Sequence, residues 1–345
     1  MNNKPADAGR FRRATIRDVA RLAEVSIGTA SKAMNAGGRL KQETRDKVMR
    51  IAKEIGYRPN DLAQSLHRAK SMTVGILTND SFGRFSFPII RALEERLADQ
   101  GIAVFMCNAT DDPERERQHI DQLLGKRIDG LVVTARRSDQ RPAIHVGGIP
   151  VIYVFSQADD PDALCLLPDD EGGAMLATEH LLGLNRRRIA HITGPERFEA
   201  VRLRHRGYGR ALERAGLKAP PEFFLTGPWS EAWGREAVEQ LFEAEGQKPD
   251  GLFCGNDQIA RGAVEALRER GLAVPADVAV VGFDNWDVMV GGARPPLTSI
   301  DMNLNALGHE AGERLLTMIA GEKTGGVRRL PCTLVVRQST AAAKP

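Results

Sequence analysis

Small apolar residues recur at helical spacing close to the start of the chain. They are Ile16, Val19, Ala20 and Ala23, at positions i, i+3, i+4 and i+7 of one segment. This spacing places them on one face of an amphipathic helix, with Arg17 on the opposite, polar face. Thr15 and Asp18 form a capping-box pattern, which satisfies backbone N–H groups at the start of such a helix. The pattern therefore predicts a short helix that begins next to Thr15.

A second short helix is expected after a turn at Glu24 and Val25. Ser26 is placed to cap its N-terminus, and Ala30 and Met34 are placed to face the first helix. The exposed face then carries Ile27, Gly28, Ser31 and Lys32. Two short helices joined by a tight turn are the helix-turn-helix arrangement, in which the second helix enters the major groove of DNA.

The periodicity continues into a third helix and then weakens. Residues 42–55 are predicted to be helical, with Gly56 closing the helix in a left-handed conformation, so residues 14–58 form a compact three-helix head. Residues 59–71 are predicted to hold a helix of about two turns, from Asn60 to Arg68, and a linker. A helix this short is marginal alone in water. It is a candidate hinge that folds against a partner.

From residue 72 to residue 340, apolar runs alternate with segments of helical periodicity. The runs cover residues 73–77, 103–106, 130–134, 151–155, 189–193, 251–254 and 278–283. Continuous apolar strands separated by helices are typical of parallel strands buried in doubly wound α/β sheets. Ligands bind such sheets at the carboxyl ends of the strands. Several runs end there in polar pairs, namely Asn79-Asp80, Asn256-Asp257 and Asp284-Asn285.

Charge is divided unevenly between these two regions. Residues 1–70 contain 16 lysines and arginines against 7 aspartates and glutamates, a net charge of +9. The other 275 residues contain 32 against 38, a net charge of −6. A basic head on an acidic body is typical of a nucleic-acid-binding module joined to a separate second domain.

Other classes of protein find little support in the sequence. Residues 1–13 are polar and basic, so no signal peptide or membrane anchor is expected and the protein is expected in the cytoplasm. The four cysteines are far apart, which argues against a zinc site or a disulfide framework, and no metal or other cofactor is expected. Nucleotide-binding glycine loops and common catalytic motifs do not occur, which argues against an enzyme. The basic head argues against a solute-binding transport protein.

Motifs along most of the chain match one known family. In the head they are ATIRDVARLAEVSIGTASKAMN at 14–35, ETRDKV at 43–48 and GYRPNDLAQSL at 56–66; beyond it they are VGIL at 74–77, DPERE at 112–116, RIDGL at 127–131, CGND at 254–257, VVGFD at 280–284 and PLTSI at 296–300. Through these motifs the chain resembles the LacI/GalR family of bacterial transcription regulators.

The resemblance implies a fold and a function. The fold is an all-α helix-turn-helix head with a hinge helix, followed at 72–340 by a two-lobed α/β effector and dimerisation domain of the type I periplasmic-binding-protein kind. The function is that of a homodimeric repressor of carbohydrate uptake or catabolism genes, which binds double-stranded DNA at a palindromic operator. A small-molecule effector, expected to be a sugar, controls it. The alternative is a non-sugar metabolite that acts as a co-repressor.

The family pattern assigns DNA contacts to ten residues. Ile27 and Lys32 are expected to contact bases, whereas the hydroxyls of Thr29 and Ser31 are expected to hold phosphates. Leu66 matches a leucine that wedges into the minor groove. The whole set is Arg17, Ser26, Ile27, Gly28, Thr29, Ser31, Lys32, Asn35, Ala63 and Leu66.

The family pattern assigns the effector pocket to seven residues. They are Phe82, Arg84, Phe85, Arg204, Trp229, Asn256 and Asp284. Arg204 matches an arginine that grips the effector, and Asp284 matches an acid that accepts hydrogen bonds from it. Trp229 matches an aromatic residue that stacks on a sugar ring, with Trp233 as the competing candidate. Asp257 is expected to cap the helix that follows it.

Two departures from the family pattern blur the effector class. Gly-Arg-Phe-Ser at 83–86 replaces the usual Asn-Pro-Phe-Phe after the first strand, and Phe155 stands where some sugar-binding members carry an acid. Simpler interpretations also remain open. Arg204 could be a solvated surface arginine, Asp284 could be a helix cap, and either tryptophan could belong to the core.

Overall fold

The computed structural model of the protein describes residues 14–34, 40–57, 70–218 and 220–341. Its helices are α1 (Ile16–Ala23), α2 (Ile27–Met34), α3 (Gln42–Glu54), α4 (Ser86–Ala98), α5 (Pro113–Gly125), α6 (Asp170–Gly183), α7 (Glu199–Arg214), α8 (Glu231–Glu243), α9 (Asp257–Glu269), α10 (Asp287–Gly292) and α11 (Leu304–Ile319). Its strands are β1 (Thr73–Thr78), β2 (Ala103–Asn108), β3 (Gly130–Thr134), β4 (Gln140–Arg141), β5 (Val151–Val154), β6 (Gln157–Ala158), β7 (Leu164–Pro168), β8 (Ile189–Thr193), β9 (Phe224–Thr226), β10 (Gly251–Cys254), β11 (Ala279–Phe283), β12 (Thr298–Asp301), β13 (Gly326–Leu330) and β14 (Thr333–Val335). Backbone contacts divide the chain into two compact units, with the boundary between Ser71 and Met72.

The head consists of three helices packed around small apolar side chains. Val19, Ala30 and Val48, one from each helix, are completely buried. Because the side chain of Ala30 is so small, α2 can approach the other two helices closely. The third helix ends one residue earlier than predicted, at Glu54, and Gly56 adopts the predicted left-handed conformation with φ of +64°.

Local hydrogen bonds fix the turn between α1 and α2. The Thr15 N–H donates to Asp18 Oδ2 at 3.0 Å and the Asp18 N–H donates to Thr15 Oγ1 at 3.4 Å, so the predicted capping box forms. Glu24 ends α1 with φ of 56°. The Thr29 N–H donates to Ser26 Oγ at 3.0 Å, which confirms Ser26 as the cap of α2. The helix-turn-helix of the head is therefore built from short-range contacts.

The second unit contains two six-stranded sheets. The strand order is β2-β1-β3-β5-β7-β13 in the first sheet and β9-β8-β10-β11-β12-β14 in the second. All pairings are parallel except that between β12 and β14. The predicted apolar runs all form strands, with small differences at their ends. At one edge, β2 leaves Phe105 and Met106 about half exposed, so its apolar run is not a buried strand.

Each sheet and its helices form one lobe, and the chain passes between the lobes three times, as the resemblance implies. The crossings follow β7, β12 and β13. Neighbouring crossings are hydrogen-bonded: the Asp169 N–H donates to the Leu330 carbonyl at 2.8 Å, and Asn303 Nδ2 donates to the Pro331 carbonyl at 2.8 Å. In the parts of the chain that the structure describes, no helix is both long enough and apolar enough to span a bilayer.

A buried histidine lies in the middle of the second sheet. His191 on β8 has no exposed surface, its ring stacks on Phe253 with centroids 4.5 Å apart, and its Nδ1 lies 3.0 Å from the Phe253 carbonyl oxygen. Burial lowers the pKa of His191 from 6.5 to about 3, because the charged ring would lose its hydration. The unfolded chain therefore binds this proton more readily than the folded chain does.

The first prediction concerns the pH dependence of stability. Because the folded pKa of His191 lies below the unfolded value, its contribution is fully present above about pH 6.5 and is lost as the pH falls. Between about pH 7.5 and pH 5, this loss amounts to about 2 kcal/mol. Chemical unfolding of His191→Phe should show a correspondingly weaker pH dependence than the wild type. His309→Phe, at an exposed histidine, is the control. Equal pH dependence in the wild type and His191→Phe would contradict the assignment.

Candidate functional site

The exposed face of α2 carries the side chains expected to contact DNA. Ile27 is 50% exposed, Gly28 and Lys32 are exposed, and Ser31 is half-buried. Arg17 is exposed on α1. The predicted face of the second helix is therefore open to a partner.

Two of the residues predicted to contact DNA, Ser26 and Thr29, are already hydrogen-bonded to each other. The hydroxyls of Ser26 and Thr29 lie 2.9 Å apart, and Ser26 also accepts the Thr29 N–H. A phosphate bound here would have to share these hydroxyls with the helix cap. Asn35, Ala63 and Leu66 lie outside the described residues, as does the predicted hinge helix, so their assigned roles remain predictions.

In the second unit, Arg204 is deeply buried where the lobes join. Its side chain is 6% exposed, and its Nε donates to Asp170 Oδ1 at 2.7 Å. Its Nη1 donates to the Gly255 carbonyl, and its guanidinium lies 3.6 Å from the centroid of the Phe283 ring. The interpretation of Arg204 as a solvated surface arginine is therefore wrong.

Asp284 faces the same place from the end of β11. Its backbone has φ of +98°, and its N–H donates to the Ile300 carbonyl at 2.8 Å. Its carboxylate accepts a hydrogen bond from Arg84 and lies 3.8 Å from Arg204 Nη1. Burial raises the pKa of Asp284, whereas the two arginines oppose that rise. The side chain caps no helix, since Trp286 is the residue that precedes α10.

The helix cap expected at Asp257 is formed by Asn256 instead. Asn256 is the cap of α9, because its Oδ1 accepts the Ile259 N–H at 2.8 Å, which leaves Nδ2 as its group for a ligand. Asp257 instead accepts the Trp286 N–H at 2.7 Å and the Ser299 hydroxyl at 2.5 Å. Burial, reinforced by the nearby charge of Asp284, raises the pKa of Asp257 to about 8. Asp257 thus holds the loop that presents Asp284.

The two candidate tryptophans have different environments. Trp233 is 7% exposed, and its Nε1 donates to the Thr193 carbonyl at 3.0 Å, so it belongs to the core. Trp229 is half-buried and lies on Gly194, where a Cβ would come within 2.1 Å of the indole. Its ring centroid is 6.4 Å from that of Phe198. Trp229 packs against the same hydrophobic cluster as Trp233 but is the more exposed of the two.

The first lobe supplies a loop that reaches the second. Arg84 lies between β1 and α4. Its guanidinium carbon is 4.7 Å from the centroid of the Phe85 ring and 4.3 Å from that of the Trp286 ring. Phe85 stacks on Phe155 with centroids 5.0 Å apart. Phe82 is 85% exposed and is not gathered with the other predicted pocket residues. The structure thus brings Arg84, Arg204 and Asp284 together, but not Phe82.

Three further hydroxyls line strand ends and were not among the predicted site residues. Within the described ranges, the buried hydroxyls of Thr134, Ser156 and Thr193 have no hydrogen-bond partner. They follow or end β3, β5 and β8, at the carboxyl edges where doubly wound sheets bind ligands. A hydroxyl residue at the end of an apolar run is the sequence signal that would have identified them.

Two protein-family models match this chain. The model for bacterial regulatory proteins of the lacI family matches residues 15–60, and the model for a periplasmic binding protein-like domain matches residues 178–340. The HTH-type transcriptional repressor PurR of Haemophilus influenzae is 33% identical over 94% of this chain and 98% of PurR. This chain belongs to the LacI family. Like its relatives in that family, it is a DNA-binding transcriptional repressor controlled by a small-molecule effector.

Solved structures of LacI-family proteins share the fold. The Lac repressor dimer bound to operator and the anti-inducer ONPF is 28% identical, with a TM-score of 0.79 over 96% of this chain and 100% of that chain. The regulator CelR in complex with cellobiose is also 28% identical, with a TM-score of 0.64 over 95% of this chain and 100% of that chain. LacI-family repressors function as dimers. The predicted fold, a helix-turn-helix followed by a two-lobed α/β domain, is confirmed.

The second prediction tests whether Trp233 contributes more to the stability of the core than Trp229 does. Trp233→Ala should lower the free energy of unfolding by about 3 to 5 kcal/mol, the usual cost of removing a large buried aromatic side chain. Trp229→Ala should lower it by only about 1 kcal/mol, because part of its indole is already in water. Urea unfolding of both variants measures the difference. Equal losses would mean that Trp229 is a core residue.

Proposed function

We propose that this LacI-family protein represses genes of carbohydrate uptake or catabolism, and that its effector is a sugar bound in the cleft between the two lobes. The observation that carries the proposal is the gathering of Arg84, Arg204 and Asp284 from both lobes around one place. A guanidinium offers a planar fork of donors to adjacent hydroxyls, and a carboxylate accepts hydrogen bonds from them. The half-buried indole of Trp229 adds an apolar face suited to the C–H face of a sugar.

Similarity to other regulators supports the same ligand class. CelR is described in complex with cellobiose, and its structure covers nearly the whole of this chain. We further infer that two subunits of a homodimer each bind one half of a near-palindromic operator, since a symmetric dimer matches a palindrome. The protein would act on chromosomal DNA and hence in the cytoplasm. A thermal-shift screen against carbohydrates and other metabolites would identify the effector, because a bound ligand raises the unfolding midpoint.

The third prediction concerns base recognition by α2. Lys32→Ala should change which operator sequences are preferred, because a lysine ammonium can donate to O6 and N7 of guanine. Arg17→Ala and Lys41→Ala should instead lower the affinity for all operator sequences evenly, as expected for contacts to phosphates. Selection of binding sites from a random DNA library measures both effects. A uniform loss of affinity for Lys32→Ala would contradict its assignment to base contacts.

The fourth prediction concerns the effector response. Replacing Arg204 by alanine would leave Asp170 buried without its cation, which destabilises proteins strongly. Arg204→Lys keeps the charge and removes the planar fork, so it should weaken the effector response at least about tenfold. Operator affinity without effector should stay within about twofold, because Arg204 lies in the α/β unit. Fluorescence anisotropy with labelled operator, with and without effector, measures both quantities.

The matched control for this experiment lies on the same helix. Arg202 is about half exposed and pairs with Glu199 on the surface of α7, so Arg202→Lys should leave both the effector response and operator binding unchanged. If Arg204→Lys responds to the effector at the wild-type concentration, the proposed pocket is wrong. If both variants lose the response, the effect comes from α7 as a whole.

A further inference from the structure

The loop of the first lobe inserts a guanidinium group into a site formed largely by the second lobe. Arg84 Nη2 donates to Asp284 Oδ2, and Arg84 Nη1 donates to Gln258 Oε1 at 3.4 Å. The rings of Trp286 and Phe85 lie within 5 Å of the guanidinium carbon. A carboxylate, an amide oxygen and aromatic rings are the groups that recognise a flat cation with several N–H donors. The site is therefore complementary to guanidinium.

The two arginines of the cleft differ in how many of their N–H groups have an acceptor. Arg204 donates to Asp170 and Gly255, and its Nη2 lies 3.9 Å from Met302 Sδ. Arg84 is 14% exposed, and its buried Nε has no acceptor among the residues that the structure describes. An N–H left without an acceptor weakens the hold on its side chain. Arg84 is therefore the more readily displaced of the two.

Both carboxylate oxygens of Asp284 face arginines: Oδ2 accepts from Arg84, and Oδ1 lies 3.8 Å from Arg204 Nη1. Its carboxylate already accepts from Arg84, and it is 5% exposed, so water cannot replace a lost partner freely. Because the carboxylate is so little exposed, a ligand that donates to Oδ2 must take the place of Arg84. Such a ligand must also offer an acceptor to the displaced guanidinium, because an unpaired buried charge is unfavourable.

We propose that Arg84 is an internal ligand of the cleft. Its guanidinium occupies the site formed by Asp284, Gln258 and Trp286, holds the two lobes together, and must be displaced for an effector to donate to Asp284 Oδ2. The proposal rests on the proposed function, because it takes the cleft as the effector site. It makes Arg84 a residue that sets both the threshold concentration and the chemistry of the effector. A bare hydrogen-bond donor is not sufficient, and a group with adjacent donors and acceptors is required.

The experiment removes the Arg84 side chain and adds a small molecule that has the same atoms as the deleted part. Arg84→Ala deletes an ethylguanidinium fragment, so N-ethylguanidinium chloride should refill the site. The unfolding midpoint of the full-length variant should rise with the logarithm of the N-ethylguanidinium concentration, by about 2 to 3 °C at a tenfold excess over the Kd. Ethylammonium chloride at equal concentration, which carries the charge without the planar fork, should not produce this rise. The double variant Arg84→Ala with Asp284→Asn should lose it.

Arg91→Ala is the matched control, because Arg91 is exposed on α4 and pairs with Glu95 on the surface. The absence of this rise in Arg84→Ala, an equal rise in Arg91→Ala, or an equal rise with ethylammonium would overturn the proposal. A second variant covers the case in which Arg84→Ala does not fold. Arg84→Met keeps an unbranched chain against the two rings, and hydrogen exchange at the backbone amides of residues 284–286 should accelerate at least about tenfold in it. Exchange as slow as in the wild type and in Arg91→Met would overturn the proposal.

These measurements use neither DNA nor an effector, so they are independent of the proposed function. If guanidinium fails to stabilise Arg84→Ala while Arg204→Lys loses the effector response, Arg84 is not an internal ligand and the effector site stands. If guanidinium stabilises Arg84→Ala while no sugar or metabolite binds the wild type, the site recognises guanidinium but the cleft is not shown to be an effector site.

Discussion

The buried pair of Arg204 and Asp170 connects the parts of the α/β domain that meet at the junction of the lobes. Asp170 is the first residue of α6, directly after the first crossing, and Met302, beside the same guanidinium, lies in the second crossing. Arg204 also binds the carbonyl of Gly255 at the end of β10. Burial raises the pKa of Asp170, and the charge and hydrogen bond of Arg204 oppose that rise. Removing either partner would leave a buried, unpaired charge and would strongly destabilise the domain.

Two kinds of contact join the lobes, and they differ in how easily they can change. The crossings are linked by hydrogen bonds to the backbone carbonyls of Leu330 and Pro331, which keep the pivot in place. Side chains span the cleft elsewhere: Arg84 reaches Asp284, and the Glu199 N–H donates to Asp139 Oδ1 at 2.8 Å. These side-chain contacts can be exchanged for contacts with a ligand without unfolding either lobe. An effector can bias such a domain only through a difference in its affinity for two lobe arrangements.

Local features were predictable from the sequence, whereas long-range pairings were not. The capping box at Thr15, the cap at Ser26 and the left-handed Gly56 depend on neighbours within a few residues, and all three were predicted. The buried strands followed from continuous apolar runs. The cap was predicted at Asp257 but is formed by Asn256, because either side chain can cap a helix and only the distant Ser299 and Trp286 decide between them.

The contacts in the cleft are further long-range pairings that the sequence could not predict. Arg84 and Asp284 were both predicted to lie in the pocket, but their mutual ion pair joins residues 200 positions apart in different lobes, and no spacing rule reveals it. The choice between Trp229 and Trp233 depended on which indole reaches the Thr193 carbonyl. Phe82 was placed in the pocket by analogy with family loops, yet its own loop has a different sequence and leaves it in water.

The charges of the cleft constrain the chemistry of a ligand. Arg84 and Asp284 form one pair of opposite charges, and Arg204 and Asp170 form another. The charges of these four side chains therefore cancel. An anionic or cationic ligand would add an unbalanced charge to a buried region, at a large desolvation cost. A neutral molecule with adjacent hydroxyls can donate to Asp284 and accept from Arg84 without altering the balance of these four charges.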